Sequence, residues 1–284
     1  MTLKEFIDNL AASLTGLYPQ EEARAIAIRA VTSLLSIEEY KYLSEPHKPV
    51  DADKQEMLSA AAERLQKGEP LQYVVGHTEF AGMRLKVGPG VLIPRQETEQ
   101  LYELAASDCD ALMQSSQDDS FNIRDICTGS GCLAYAFASE FPEAHVYGCD
   151  ISDDALRIAC RQRVKLHGAR PVFFQADVMQ APPAGLPKFD LIISNPPYVM
   201  ESEKAQMRGN VLDWEPAQAL FVPDEDPLVF YRAVAVWADY LLKDNGNLWL
   251  EINEKLGQET AALFTGAAVI QDLNGKDRFI VVKK

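Results

Sequence analysis

The chain has 284 residues, 47% of them hydrophobic, which is enough to build a core in one large domain or in two smaller ones. Its 27 basic and 42 acidic side chains give a net charge of −15, which argues against the broad basic surface of a nucleic-acid-binding protein. The five cysteines include no Cys-x-x-Cys pair, so we expect reduced thiols and neither disulfides nor a zinc site. No stretch resembles a signal peptide or a membrane span, and we expect a soluble, cytoplasmic protein.

The N-terminal part of the chain, residues 1–68, carries apolar residues at helical spacing. Three segments show this spacing, and they cover residues 3–14, 19–34 and 51–65. The period of 3.6 residues accounts for their Leu and Met positions as core positions. We therefore predict a small helical bundle that holds no catalytic residue.

Residues 69–95 show a different pattern, in which short β-like runs are interrupted by glycine. The runs cover residues 71–75, 78–80 and 83–87, and they predict a β-hairpin linker between two domains. His77 lies in this linker, but no cluster of metal-binding side chains stands at ligand spacing from it. We therefore predict no metal site.

A charged segment that includes Arg95 and Glu97 follows the linker and leads into a predicted helix over residues 100–106. The segment is either a helix cap with acidic residues in the first turn, or a loop that lays Arg95 and Glu97 over a pocket. The residues alone do not decide between the two. The Asp-, Ser- and Gln-rich residues 107–120 are predicted to form an exposed connection.

From residue 121 onwards, strand-like and helix-like segments alternate, which is typical of a doubly wound, parallel sheet. A helix, a strand and a further strand are predicted between residues 258 and 282. The other predicted strands cover residues 121–127, 145–149, 172–175, 189–193 and 246–252, and the other helices cover residues 132–140, 152–167 and 226–243.

A Gly-x-Gly motif and two acidic residues follow the first three of these strands. Gly129 and Gly131 would let the backbone approach a ligand, and Asp150 could accept hydrogen bonds from both hydroxyls of a ribose. The third glycine of a dinucleotide fingerprint is missing, so an adenosine-bearing cofactor without phosphates is favoured. Asp177 could bind an adenine amino group and Val178 could pack on the ring, or either could simply begin a loop.

The fourth strand is followed directly by Asn195-Pro196-Pro197-Tyr198. Proline removes a backbone donor and keeps the preceding residue extended, so the Asn195 side chain is free to bind. The segment could be merely a turn, but the carboxyl ends of parallel strands bind ligands at one sheet edge. The Asn195 side-chain oxygen and the Pro196 carbonyl could then accept both N–H bonds of a planar NH₂ group, while Tyr198 packs against that group. Catalysis would be mainly positioning.

The combination of these motifs resembles the class I S-adenosylmethionine-dependent methyltransferases that modify amide or amino nitrogens. The flanking segments are more specific. Residues 68–76, residues 92–99, Glu215-Pro216 and Phe230-Tyr231 are similar to the HemK/PrmC family, whose members methylate the glutamine of the Gly-Gly-Gln motif in peptide chain release factors. This resemblance spans essentially the whole chain.

The resemblance implies a doubly wound, mostly parallel seven-stranded α/β catalytic domain over residues 96–284, joined by the linker at 69–95 to a release-factor-recognition bundle at 1–68. It also implies S-adenosyl-L-methionine as methyl donor, no metal, and the N5 atom of a release-factor glutamine as acceptor, with neither nucleic acid nor membrane as a partner. Other acceptors stay open, namely a glutamine of a ribosomal protein or the N6 atom of adenine in nucleic acid. A cofactor-binding module without catalysis is a further alternative.

Two residues depart from the family pattern, which usually has glycine at the position of Cys127 and proline at that of Gln96. Cys127 is small, so we expect cofactor binding to survive, whereas Gln96 is expected to loosen the loop. The implied substrate-binding residues are Asn195, Pro196, Pro197, Tyr198, Arg95 and Glu97, of which Asn195, Pro196 and Tyr198 are the catalytic ones. Together with Asp177, the implied cofactor-binding residues are Cys127, Thr128, Gly129, Ser130, Gly131, Asp150, Val178 and Asn195.

Overall fold

The structure is a computed structural model, and it describes residues 1–115 and 120–284. The chain forms two compact units. The first comprises Met1–His77 and Arg208–Trp214, and the second comprises Thr78–Met207 and Glu215–Lys284. Within the described ranges, no helix is both long enough and apolar enough to cross a membrane.

The first unit is a bundle of helices, and the three long helices predicted from the sequence are confirmed. The first begins at a capping box, in which the Thr2 side chain accepts from the Glu5 N–H and the Glu5 carboxylate accepts from the Thr2 N–H. Its buried face, which includes Phe6 and Leu10, packs into the core of the bundle. The helices are α1 (Leu3–Leu14), α2 (Gln20–Leu35), α3 (Lys41–Ser44), α4 (Ala52–Gln66) and α5 (Leu71–Val75).

Helix α5 corrects the prediction of a strand over residues 71–75. Pro70 precedes its first residue, where a missing N–H costs nothing, and Gly76 ends it in the left-handed conformation at a φ of 78°. A run of five residues is too short for its apolar spacing to distinguish a helix from a strand. The β-hairpin itself is confirmed, and it pairs β1 (His77–Phe80) with β2 (Met83–Lys86).

The remaining elements alternate between strand and helix, as predicted. Two 3-10 helices, Glu201–Gln206 and Ala217–Ala219, lie among them. In chain order the elements are α6 (Gln96–Ser115), β3 (Asn122–Ile126), α7 (Cys132–Glu140), β4 (His145–Asp150), α8 (Asp153–Cys160), β5 (Val172–Gln175), β6 (Phe189–Ser194), β7 (Val199–Met200), α9 (Gly209–Trp214), β8 (Phe221–Val222), α10 (Val229–Leu241), β9 (Leu242–Glu251), α11 (Gly257–Ala261), β10 (Ala268–Gln271) and β11 (Asp277–Lys283).

Seven of these strands form one sheet in the order β10-β11-β9-β6-β3-β4-β5. The five strands from β9 to β5 are paired in parallel, and only the β11 pairings are antiparallel, which confirms the doubly wound, mostly parallel fold. The register pairs Ile126 at the end of β3 with Cys149 on one side and Ser194 on the other. The carboxyl ends of the central strands therefore lie level, and the residues that follow them share one sheet edge.

Two predicted helix boundaries were wrong. Helix α6 runs from residue 96 to 115, so residues 107–115 do not form the predicted exposed connection; residues 116–119 of that connection lie outside the described residues. The polar residue Asp108 lies within the helix because its carboxylate accepts from the side chains of Asn247 and Trp249. Helix α8 ends at residue 160 instead of 167, since the buried Gln162 side chain bonds to the backbone of Lys86.

Candidate active site

A cavity of about 280 Å³ opens at the carboxyl ends of β3, β4, β5 and β6. The residues predicted to bind a cofactor follow these four strands, and the level strand ends bring them to one place. Among them only Gly131 lies outside the lining. Those that line the cavity are Cys127, Thr128, Gly129, Ser130, Asp150, Asp177, Val178 and Asn195.

The loop between β3 and α7 forms the floor of the cavity and contains three residues in the left-handed conformation. Gly129 has a φ of 54° and nothing within 4 Å of the position of a Cβ atom, so its open side is available to a ligand. Gly131 has a φ of 81°, and a Cβ atom there would lie 3.1 Å from the Phe173 ring and 3.2 Å from Ala159. Cys127 adopts a φ of 60°, which explains why glycine suits this position better.

A carboxyl group beneath this loop, that of Asp125, holds the loop in place. The Thr128 hydroxyl and the Ala134 N–H both donate to one oxygen of Asp125, which joins the loop to the first turn of α7. Burial raises the pKa of Asp125 to about 7, although these two hydrogen bonds oppose the shift. Sequence reasoning missed Asp125; the available signal was an acidic residue inside a predicted central strand, next to Arg124.

Asp150 is oriented by two backbone amides at the edge of the cavity. The Gly129 N–H donates to Oδ2 and the Ser152 N–H donates to Oδ1, each at 2.9 Å. Burial raises the pKa of this carboxyl group, while the backbone hydrogen bonds oppose the rise. Each oxygen retains a lone pair, so the carboxylate can accept further hydrogen bonds from a ligand. Asp177 also accepts from a backbone amide, that of Met179, and the adjacent Val178 adds an apolar wall.

The Asn195 side chain lies at the other end of the cavity and belongs to a chain of hydrogen bonds. Its Nδ2 donates to Thr98 Oγ1 at 2.9 Å, and the Thr98 hydroxyl donates to Glu251 Oε2 at 2.7 Å. Tyr198 donates its hydroxyl to the other oxygen of Glu251 at 2.8 Å. Glu251 is fully buried at the end of β9, and burial raises its pKa against these two hydroxyls and the positive charge of Arg278. Thr98 and Glu251 were both missed in the sequence.

The rest of the predicted acceptor motif is also held in place. The Asn253 side chain donates to the Tyr198 carbonyl, and β7 begins directly afterwards by pairing with β8. Pro197 is buried and lines the cavity, whereas Pro196 and Tyr198 lie outside the lining among the described residues. The Ser194 hydroxyl donates to the Ile126 carbonyl at 2.6 Å, so the start of the motif is tied to β3.

Arg95 and Glu97, which the sequence placed over the pocket, lie beside the cavity lining and not in it. The Arg95 guanidinium donates to the buried carboxylate of Glu215, and the Ile93 N–H donates to the same group. These contacts with Glu215 join the segment before α6 to the segment that follows α9. Glu97 is half-buried. A substrate contact by Arg95 or Glu97 stays a prediction.

Several lining residues were not among the predicted site residues. They come from the segment between β2 and α6, from the first turn of α6, from the segment around the second 3-10 helix and from α10. The only indication of these residues in the sequence was that the segments around several of them are similar to those of a known family. The residues concerned are Gly90, Val91, Leu92, Pro94, Thr98, Pro216, Gln218, Ala219 and Phe230. Over residues 1–115 and 120–284, no group of three or more His, Cys, Asp or Glu side chains is arranged to hold a metal ion.

Two protein-family models match the chain: the PrmC N-terminal domain at residues 5–76 and the methyltransferase small domain at residues 108–214. The release factor glutamine methyltransferase of Bacteroides thetaiotaomicron is 40% identical over 96% of each chain. The proteins of the same name from Flavobacterium psychrophilum and Koribacter versatilis are 33% and 34% identical, over 99% and 100% of this chain and 99% of each relative. A solved ribosomal protein L11 methylase from Lactobacillus delbrueckii subsp. bulgaricus aligns at 14% identity and a TM-score of 0.41 over 67% of this chain and 80% of its own.

Proposed function

Since the chain belongs to the release factor glutamine methyltransferase family, we propose that it transfers a methyl group from S-adenosyl-L-methionine to a glutamine side chain of a peptide chain release factor. The acceptor atom is N5 of the glutamine in the Gly-Gly-Gln motif. One observation carries the proposal: Gly129 of the loop between β3 and α7, Asp150 at the end of β4, and Asn195 and Pro197 of the acceptor motif 195–198 all line the same cavity.

The cavity lining fits the proposed cofactor. The open side of Gly129 lets a ligand approach the backbone, and the oriented carboxylate of Asp150 would accept hydrogen bonds from the ribose hydroxyls. Val178 would pack against the adenine ring, with Asp177 near its amino group. When bound, S-adenosylmethionine supplies a methyl group on a positively charged sulfur. No metal ion is part of the proposal.

An amide nitrogen is a poor nucleophile because its lone pair is delocalised. The acceptor motif, residues 195–198, would favour its attack by holding it in position. The Asn195 Oδ1 and the Pro196 carbonyl would accept the two N–H bonds of the glutamine amide and hold its nitrogen toward the cofactor side of the cavity. Tyr198 would pack against the planar amide. These groups stabilise by position and by oriented dipoles, so the reaction needs no strong base to remove the proton first. The proton is lost to solvent after the transfer.

We assign recognition of the release factor body to the N-terminal bundle, residues 1–68, with residues 69–95 as linker and residues 96–284 as the catalytic domain. The assignment rests on the PrmC N-terminal domain match. Release factors act on ribosomes, so we place the enzyme in the cytoplasm. Substrate contacts by Arg95 and Glu97 belong to this proposal, although both residues lie outside the cavity lining, where Arg95 pairs with Glu215.

Parallel assays with three acceptors test the proposal. A release factor, a glutamine-containing ribosomal protein and a DNA duplex are each incubated with the enzyme and a methyl-labelled cofactor. We expect label on the release factor alone, because a net charge of −15 disfavours the phosphate contacts that a nucleic-acid substrate requires. Label on the ribosomal protein or on the DNA at a higher rate would refute the proposal, and so would the absence of label on all three.

A further inference from the structure

Thr98 and Glu251 are both buried, and no ligand contact was assigned to either. Thr98 is hydrogen-bonded to Asn195, and Glu251 is hydrogen-bonded to Thr98. Thr98 stands in the first turn of α6 and Glu251 ends β9, so two separate elements converge on the acceptor motif. We call the hydrogen-bonded series Asn195, Thr98 and Glu251 the amide relay. Its members are joined at 2.9 Å and 2.7 Å, which are ordinary distances for well-formed hydrogen bonds.

The direction of each bond in the relay follows from which atoms carry hydrogen. When Glu251 is ionised, both of its oxygens are acceptors only, and the Thr98 and Tyr198 hydroxyls both donate to them. Thr98 has a single O–H, and that hydrogen is used toward Glu251. Its oxygen then offers only lone pairs to its other neighbour, so Asn195 must present its NH₂ group, and not its carbonyl, to Thr98.

A planar amide that turns its nitrogen to one side turns its oxygen to the other. Among the described residues the Asn195 Oδ1 atom accepts no hydrogen bond, and the residue lines the cavity. If the amide were flipped, Asn195 would present N–H donors to a substrate amide that also presents donors. Two donors cannot bond, so the flipped form would not hold the acceptor nitrogen.

We propose that Thr98 and Glu251 are positioning residues that lock the Asn195 amide with its oxygen toward the acceptor nitrogen. The inference rests on the proposed role of Asn195 in methyl transfer. It assigns to the first turn of α6 the task of selecting one of two amide orientations that have nearly the same shape. Thr98 acts through its hydroxyl and not through its methyl group.

A matched set of substitutions separates this role from packing. Thr98→Val keeps the side-chain shape and removes the hydroxyl, whereas Thr98→Ser keeps the hydroxyl and removes the methyl group. A packing role makes the valine variant the better enzyme, while the amide relay makes the serine variant the better one. For each variant, kcat and KM for the release factor, the cofactor Kd and the melting temperature are measured. Thr98→Ala replaces Thr98→Val if the latter does not fold.

For Thr98→Val we expect kcat to fall about 10- to 100-fold with the cofactor Kd unchanged, as when one positioning group is lost. Thr98→Ser should stay within about 3-fold of wild type even if its melting temperature is lower, because the serine hydroxyl can make both bonds of the relay. Asn195→Ala serves as the reference for complete loss. A valine variant with the same kcat as the serine variant, beside an inactive Asn195→Ala, would overturn the relay and leave the proposed function standing. An active Asn195→Ala would overturn the relay and the role of Asn195 in the transfer, whereas no methyl transfer by the wild-type enzyme would overturn the proposed function.

Discussion

An alanine substitution should have different consequences at Gly129 and at Gly131, the two glycines of the loop between β3 and α7. Gly131 and Gly129 both adopt positive φ angles, so an alanine at either position costs about 1–2 kcal/mol in backbone strain. Alanine also restricts the unfolded chain, which returns about 0.5–1 kcal/mol. The net backbone cost is therefore about 0–1.5 kcal/mol at each position.

The surroundings of the two positions then separate them. At Gly131 the added Cβ atom would lie 3.1–3.3 Å from Phe173, Ala159 and Tyr135, and such overpacking costs about 1–3 kcal/mol. Gly131→Ala should therefore lose about 1–4.5 kcal/mol, a fall of roughly 2–18 °C in melting temperature for a domain of this size. At Gly129 no atom lies within 4 Å, but the methyl group would enter the cavity. Gly129→Ala should lose little stability and at least about 10-fold in cofactor affinity.

Unfolding in denaturant, followed by the fluorescence of Trp237 and Trp249 in the catalytic unit, measures the first effect. Calorimetric titration with S-adenosylmethionine or its demethylated product measures the second. Each variant is the control for the other, because both carry the same chemical change. Equal free energies of unfolding for the two variants, or an unchanged cofactor affinity in Gly129→Ala, would refute the reasoning.

Three further predictions follow from the site. Asn195→Ala should retain cofactor binding while its kcat falls at least about 100-fold, because the substrate amide loses one oriented hydrogen-bond acceptor. Methyl transfer near the wild-type rate would contradict the role assigned to Asn195. Arg95→Ala leaves the buried Glu215 carboxylate without its cation and should lower the free energy of unfolding in denaturant by about 1–3 kcal/mol. The double variant Arg95→Ala, Glu215→Gln should recover part of this loss, because it also removes the unpaired charge. No recovery would show that the charge is not the cause. Asp125 has a raised pKa of about 7, so its stabilising contribution is full below its unfolded pKa near 4 and is lost as the pH rises through 7. Between pH 5 and pH 8 the free energy of unfolding of Asp125→Asn should therefore decrease less than that of wild type. Equal decreases in the two proteins would contradict the raised pKa of Asp125.

Much of the catalytic fold could be predicted because the central strands β3 and β6 are buried along their whole length, and helices of clear period separate β3, β4 and β5. Strand β6 contains an uninterrupted apolar run, residues 191–193, and β3 is buried although it includes Asn122, Arg124 and Asp125. The polar motifs stand directly at the ends of both strands. Parallel pairing then places those motifs at one edge without further information. This is why most of the predicted cofactor residues line one cavity.

The parts that could not be predicted depend on contacts distant in sequence. Thr98 and Glu251 are 153 residues apart, and Arg95 and Glu215 are 120 residues apart, so no local pattern links either pair. The prediction of a strand in place of helix α5 was wrong for a different reason: five residues are too few to show whether the apolar spacing is that of a helix or of a strand. The assignment of Arg208–Trp214 to the first unit likewise depends on tertiary contacts, among them an ion pair between Arg208 and Glu22.

The most direct test of the central claim is peptide mass spectrometry of a release factor that has been incubated with the enzyme and S-adenosylmethionine. The protease-digested release factor is compared with one in which the motif glutamine is replaced by asparagine, and with a reaction that contains the Asn195→Ala enzyme. We predict a single added methyl group, located on the side chain of the Gly-Gly-Gln glutamine, and none in either control. An unmodified glutamine, or a methyl group on another residue of the release factor, would contradict the account.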